Sequence, residues 1–393
     1  MTNGFLRSFK TNDVFLHVPE SSANHVRDAA SERPLSIVFF IPGNPGLISY
    51  YHTFLELVAQ SRPNLAIAGF SLGHFETDSP ATQTESVRSS LLFPPSHLKK
   101  PLGQSYTLGD QIQLSYARLN WLIYQIHAQT HSMLPRRKLN VILAGHSVGA
   151  YIAIELVRFH HKSTHSNSAL PHENGHDFLS CRVPFTTTAT LLLTPTIENI
   201  SRSQSGAVAT PVLAWFPFFP ALIQTGASAL TSMLPTSWLR TIVRRVTGMN
   251  SDHDVDTTVS FLQTPGAVKQ ALFMARHEML EINESVWTDE VWGVAGPAME
   301  DKSSGRPTSS PEAVQPLDGT RTSWTAPKHF FLFAKQDHWI ADATRNAIVE
   351  AQGGRGRIVV DSDGNMGLVH AWCLDKNNIV AEIVNKWLDE ILL

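Results

Sequence analysis

Charge is what this chain has least of. Only 17% of its residues are Asp, Glu, Lys or Arg, against roughly 25% in an ordinary soluble chain. The 31 Lys and Arg nearly balance 34 Asp and Glu, a net charge of −3. That balance lacks the basic footprint of a nucleic-acid binder, so no nucleic-acid partner is expected. Cysteine is almost absent: only Cys181 and Cys373 occur. Two distant cysteines give neither a disulfide framework nor a Cys-based zinc spacing, and a reducing compartment fits them best. The residues after Met1 to Arg7 are polar and charged, without the apolar core and cleavage site of a secretory signal. The sequons at Asn199 and Asn283 therefore read as chance matches. Phosphate-binding loops and dinucleotide fingerprints are also missing, and no cofactor is expected.

What is present is a grammar of alternating strands and helices. At 393 residues the chain exceeds one average domain, yet α/β enzymes routinely run past about 250 residues around one core. Short apolar runs at Val14–Val18, Leu35–Ile41, Leu65–Phe70 and Leu139–Ala144 predict buried strands. Helices are expected over Tyr50–Gln60 and through Ile112, Tyr116, Leu119, Ile123 and Ile126, whose alternating steps of four and three make one apolar face. The same pattern returns near the other end. Strands at His329–Phe333 and Arg357–Val360 bracket a helix over Ile340–Gln352, and an amphipathic helix over Ile379–Ile391 closes the chain. A mostly parallel sheet flanked by helices is the expected α/β fold.

The stretch from about Glu198 to Pro327 is too long to connect two strands and reads as an inserted cap. Core residues 1–197 and 328–393 would then flank a cap at 198–327. Within it, residues 296–327 have the composition of a disordered loop, and the Pro-, Ser- and Thr-rich residues 73–103 read as a long surface loop. Ser203 to Leu239 carries no charged residue at all, and this is where the charge deficit concentrates.

The strongest chemical signal is Gly145-His146-Ser147-Val148-Gly149, a G-x-S-x-G between a strand and a helical pattern, as in a nucleophile elbow. Three fixed positions recur by chance in about one chain in ten of this length, and Gly69-Phe70-Ser71-Leu72-Gly73 is a second match. The residues after Ser71 are rich in turn formers and soon reach Pro80, so the helix that an elbow must open is missing there. Ser147 is the expected nucleophile. Its partners should come later in the chain in the order acid, then histidine. His370 comes after the last expected strand and before the last helix, the place for the base. Asp337 follows the strand at Phe330, where catalytic side chains gather at the carboxyl end of an open sheet; Asp361, Asp363 and Asp342 are weaker alternatives. The oxyanion would take the Val148 amide and one from Pro42-Gly43-Asn44-Pro45-Gly46, where the prolines have no N–H. Asn44 is the favoured donor, with Gly43 or Gly46 as alternatives. His160, His161, His165, His172 and His176 cluster in a polar region without metal-ligand spacing, so no metal is expected.

These residues carry a resemblance. Phe39-Phe40-Ile41-Pro42-Gly43-Asn44-Pro45-Gly46 with Tyr50-Tyr51 and Phe54-Leu55, then Gly145-His146-Ser147-Val148-Gly149, then His370-Ala371-Trp372, resemble the lipid droplet-associated hydrolase family. The resemblance implies an α/β-hydrolase fold with Ser147 as nucleophile, Asp337 as acid and His370 as base. It further implies a carboxylic ester hydrolase acting on sterol esters or acylglycerols, at lipid droplets and the cytosolic face of the endoplasmic reticulum. A rival reading is a droplet-targeting or organising protein with weak or no activity.

The uncharged segment fits either reading. Its apolar centre, Pro211 to Ile223, is shorter than the roughly twenty residues of a straight membrane span and is interrupted by proline. A hairpin or pair of short helices dipping into a lipid monolayer is expected, with Trp215, Phe216, Phe218 and Phe219 as lipid contacts and Arg240, Arg244 and Arg245 at the polar boundary. The alternative is a hydrophobic lid over an acyl pocket.

Overall fold

A computed structural model describes residues 7–19, 35–78, 98, 100–101, 103–130, 139–165, 185–216, 218–284, 287–293, 325–353 and 357–393. Most of the loops expected at 73–103 and 296–327 lies outside the described residues, as do His172, His176 and Cys181. Eight strands form one sheet: β1 Phe9–Thr11, β2 Val14–His17, β3 Leu35–Ile41, β4 Ala66–Phe70, β5 Leu139–His146, β6 Phe185–Leu193, β7 Lys328–Phe333 and β8 Arg357–Val360. Their order is β1-β2-β4-β3-β5-β6-β7-β8. β2 pairs antiparallel with β1 and β4, and the remaining neighbours are parallel.

The two faces of β3 show why a continuous apolar run makes a central strand. Ile37, Phe39 and Ile41 enter one core cluster while Val38 and Phe40 enter the other, because successive side chains point to opposite faces. Helix α1, His52–Ser61, comes after a 3-10 turn at Ile48–Tyr51. It packs against the C-terminal helix on the Val38 side, through Phe54, Leu55 and Val58. Helices α2, Leu108–Thr130, and α3, Val148–His165, cover the other side. Ile112, Leu119, Ile123 and Ile126 of α2 are buried there, as their spacing requires.

Strand β6 has no counterpart among the apolar runs of the sequence. Its first half, Phe185-Thr186-Thr187-Thr188, reads as polar, yet Thr187 and Thr190 are buried. Thr190 is satisfied at 2.6 Å by His329 Nδ1, and His329 Nε2 reaches the Val291 carbonyl at 2.9 Å. A threonine whose hydroxyl finds a partner behaves inside a sheet as a β-branched residue.

Between β6 and β7 come α4 Gln204–Trp215, α5 Phe219–Met233, α6 Thr236–Thr247, α7 Asp252–Gln263, α8 Ala267–Glu281 and the short α9 Asp289–Trp292. The uncharged segment therefore forms α4, α5 and the start of α6. Ser203 caps α4, its hydroxyl accepting from the Gly206 amide at 2.9 Å, the role expected of an N-cap serine. Helices α6 and α7 share a small core of Leu239, Val243, Val255 and Val259. α10 Asp342–Gln352 and α11 Asn377–Leu392 return to the sheet.

One contact fixes the turn after β5. A Cβ added at Gly149 would lie 2.2 Å from the Ile41 carbonyl oxygen, a backbone atom of β3. Gly149→Ala should cost about 2 kcal/mol or more by forcing the two apart, read as a lowered urea midpoint. An unchanged midpoint would show that the approach is looser than this.

Candidate active site

Ser147 occupies the turn between β5 and α3 with φ of 55°, a left-handed conformation that is uncommon for a residue with a side chain. Its neighbours hold it there. Its amide donates to the Leu193 carbonyl at 3.1 Å, and its carbonyl accepts from the Ala150 amide at 3.0 Å and the Thr196 amide at 3.3 Å. A Cβ at Gly145 would meet the Gly149 carbonyl oxygen at 2.2 Å. Both flanking positions thus need glycine because backbone lies where a Cβ would be. Ser71, in the second motif match, opens no helix. Its buried hydroxyl accepts from the Ile48 amide and donates to Asp13, both at 3.2 Å.

His370 and Asp337 meet Ser147 from two other loops. His370 Nε2 lies 2.9 Å from Ser147 Oγ, and His370 Nδ1 lies 2.8 Å from Asp337 Oδ2. The Asp337 side chain is only 3% exposed, and its second oxygen accepts from the Trp339 amide at 2.8 Å. Asp361 instead shapes the loop that delivers His370, accepting from the Met366 amide at 3.1 Å and the Leu368 amide at 2.9 Å. Asp342 sits at the start of α10 and pairs with Arg345, and Asp363 is exposed. Thr196, which no sequence motif singles out, places its hydroxyl 3.4 Å from Ser147 Oγ.

The loop after β3 lies against this serine, since a Cβ at Gly43 would come within 3.0 Å of Ser147 Cβ. The Gly43 amide donates to Tyr51 Oη at 3.1 Å and is therefore committed elsewhere. The Asn44 side chain points toward α8, its Nδ2 donating to the Ala271 carbonyl and to Glu278 Oε1, each at 2.9 Å. Val148 opens α3, so its amide is one of those that a helix start leaves without an intrahelical partner. Helix α7 closes over the same region: Ser49 Oγ lies 2.9 Å from Thr257 Oγ1, and Tyr50 Oη 2.7 Å from Thr258 Oγ1.

Burial dominates the electrostatics. It lowers His146 well below the ordinary imidazole range, aided by His370, and pushes the Cys373 thiol up to about 12, which makes a thiolate nucleophile there unavailable. The Glu278 carboxyl is pushed up to about 7, a rise that the Asn44 hydrogen bond only partly offsets. Among the described residues no cluster of His, Cys, Asp and Glu could hold a metal ion. His160 is stacked on Phe185 and accounted for by packing.

The expected lipid contacts separate. Trp215 is 81% exposed and Phe218 83%, and Phe216 is exposed with them, whereas Phe219 is half-buried. Leu222, Met233, Trp238 and Val246 extend the exposed apolar surface along α5 and α6. Arg240 and Arg244 are engaged by Asp252, at 3.0 and 2.5 Å. Among the described residues, no helix is long and apolar enough to cross a membrane.

Comparison with known proteins agrees with this architecture. A family model described as "Lipid-droplet associated hydrolase" matches residues 34–373. The lipid droplet-associated hydrolase of Homo sapiens is 25% identical over 256 residues, 65% of this chain and 65% of that protein. The match thus spans just under two thirds of the human relative's length. The protein of the same name from Gallus gallus is 22% identical over 372 residues, 93% of this chain and 88% of the relative. Among solved structures, the crystal structure of DBJA (mutant dbja delta) superposes with a TM-score of 0.51 at 11% identity, over 98% of this chain and 99% of that one. With the sheet order above, the fold is that of the α/β-hydrolases.

Glu278 makes stability depend on pH. Folded, it keeps its proton to about pH 7, while the unfolded chain releases it near 4.5. Its contribution is therefore fully present below the lower value and is lost as pH rises through the upper one. Relative to Glu278→Gln, the native protein should lose up to about 3 kcal/mol between about pH 5 and pH 8, measured by urea unfolding of both. A pH-independent difference would contradict the assignment.

Proposed function

Because the chain belongs to the lipid-droplet associated hydrolase family, we propose that it is a serine hydrolase that cleaves carboxylic esters of hydrophobic lipids. The observation that carries this reading is the relay Ser147 to His370 to Asp337, at 2.9 and 2.8 Å. Those distances suit a hydroxyl whose proton must leave as its oxygen attacks. In this mechanism Ser147 Oγ adds to the ester carbonyl carbon and His370 Nε2 takes the proton. Asp337, at Nδ1, holds the imidazole in that tautomer and stabilises the imidazolium.

The carbonyl oxygen becomes an oxyanion held by the Val148 amide and one from the loop after β3. With Gly43 donating to Tyr51 and the prolines lacking an N–H, Asn44 remains the favoured donor and Gly46 the alternative. Collapse of the tetrahedral adduct expels the alcohol, which receives the proton from His370. Water then enters, loses a proton to His370 and releases the acid from Ser147. No cofactor or metal enters any of these steps.

We read residues 198–327 as a cap between core segments 1–197 and 328–393, with α4 to α6 presenting the lipid-facing side. Trp215, Phe216 and Phe218 form its prow, and half-buried Phe219 backs them from the start of α5. Contiguous exposed aromatics of this kind suit a monolayer interface better than water. The surface in question is that of a lipid droplet or the cytosolic face of the endoplasmic reticulum. Sterol esters and acylglycerols are the substrates that such a surface would supply.

Two measurements test this. Hydrolysis of emulsified cholesteryl oleate and triolein should fall at least ~10³-fold in Ser147→Ala; equal turnover by the variant would sink the serine mechanism, and no turnover by either protein would favour an organising role. Trp215→Glu with Phe218→Glu should weaken partitioning onto triolein emulsions at least ~10-fold, and unchanged flotation with the emulsion would reject the lipid-facing side.

A further inference from the structure

His146, the residue just before the serine, is fully enclosed yet makes no contact with a reacting atom. Its ring lies 5.1 Å from that of His370, 5.6 Å from Tyr51 and 5.4 Å from Trp372, centre to centre. Its two nitrogens are both used: Nε2 lies 2.8 Å from the His370 backbone carbonyl and Nδ1 lies 2.7 Å from Tyr51 Oη. Tyr51 Oη in turn lies 3.1 Å from the Gly43 amide.

The placement of protons fixes the direction of every bond. A carbonyl oxygen can only accept, so His146 Nε2 carries a proton. Burial keeps this ring neutral, which leaves Nδ1 a bare acceptor, and the Tyr51 hydroxyl must donate to it. The Tyr51 oxygen is then free to accept from the Gly43 amide. The result is one aligned chain, Gly43 N–H to Tyr51 O–H to His146 Nδ1, then His146 Nε2–H to the His370 carbonyl. Such bonds polarise one another in a dry interior.

We propose that His146 and Tyr51 are positioning residues that set the oxyanion loop and the His370 loop at a fixed distance behind Ser147. The inference rests on the catalytic roles proposed for His370 and for the loop of Asn44. One end of the chain is the residue before Asn44, and the other is the backbone of His370 itself. Both loops come from distant parts of the sequence, and among the described residues this chain of bonds joins them through side chains rather than through the sheet. A displacement of about 1 Å in either group is enough to cost up to about 100-fold in rate.

The test compares His146→Gln, which can still donate to the His370 carbonyl and accept from Tyr51, with His146→Leu, which can do neither, and with Tyr51→Phe. The readout is hydrolysis of p-nitrophenyl butyrate, with kcat and KM separated. His146→Leu and Tyr51→Phe should lower kcat about 10- to 100-fold while KM stays within about twofold, and His146→Gln should recover most of the loss. Equal losses in His146→Gln and His146→Leu would mean that the ring only fills space, and full activity in His146→Leu or Tyr51→Phe would remove the relay; either overturns the proposal. A wild-type protein with no activity on this ester would count against the catalytic reading, not against the relay. Nitrogen-15 NMR of the histidine side chains then decides on its own. A neutral Nε2–H tautomer for His146, with an Nδ1 signal that shifts in Tyr51→Phe, supports the relay, and the Nδ1–H tautomer refutes it.

Discussion

A serine at φ of 55° sits in a region that costs on the order of 1–3 kcal/mol to hold. The chain holds it by crowding backbone around it: the Leu193 carbonyl takes its amide, and the Gly149 and Ile41 oxygens lie where any Cβ at residues 145 and 149 would be. The two central strands β3 and β5 thus end at the same level, Ile41 beside Gly145. Everything that meets Ser147 does so because that corner is rigid. A hydroxyl on a freer turn would not keep a 2.9 Å contact to a histidine borne by a loop more than 200 positions later in the sequence.

The same corner is met by the helices that lie between β6 and β7. The loop after β3 is pressed between Ser147 on one side and helices α7 and α8 on the other, with Asn44 tied to Ala271 and Glu278. Helices α4 and α5, which flank the exposed aromatics at the end of α4 and in the connection to α5, both pack on α8. The apolar surface is therefore one helix removed from the loop proposed to hold the oxyanion. Burying the Glu278 carboxyl there is costly at neutral pH, and its hydrogen bond to Asn44 is what the fold obtains in exchange.

Most of this architecture could be read from periodicity. β3, β5 and α2 follow their apolar patterns closely, because central parallel strands and amphipathic helices are the elements in which burial dictates residue type. That Ser147, His370 and Asp337 would come together was legible from motif order and from their position after strands. β6 was not, since its threonines look polar although Thr187 and Thr190 are buried, Thr190 with its hydroxyl bonded to His329. Thr196 and Glu278 escaped for a related reason: each acts through a partner far away in sequence, and nothing in a local pattern marks it, while His146 sat at a variable place of the serine motif with its partners equally remote. Tyr51 stood within the segment that carried the family resemblance, and only the fold shows that its hydroxyl takes the Gly43 amide. Phe219 shows the limit of composition alone, because four neighbouring aromatics look alike until the helix start turns one of them inward.

If Ser147 is the activated hydroxyl of this chain, it should be singled out by a reagent that forms a covalent adduct only with a nucleophilic serine. Peptide mapping by mass spectrometry after reaction with a fluorophosphonate reads this without any assumption about the substrate. A single adduct is expected on the peptide containing Gly145-His146-Ser147-Val148-Gly149, with no adduct on the peptide containing Ser71. An adduct on another serine, or none on a folded protein, would refute the assignment of Ser147.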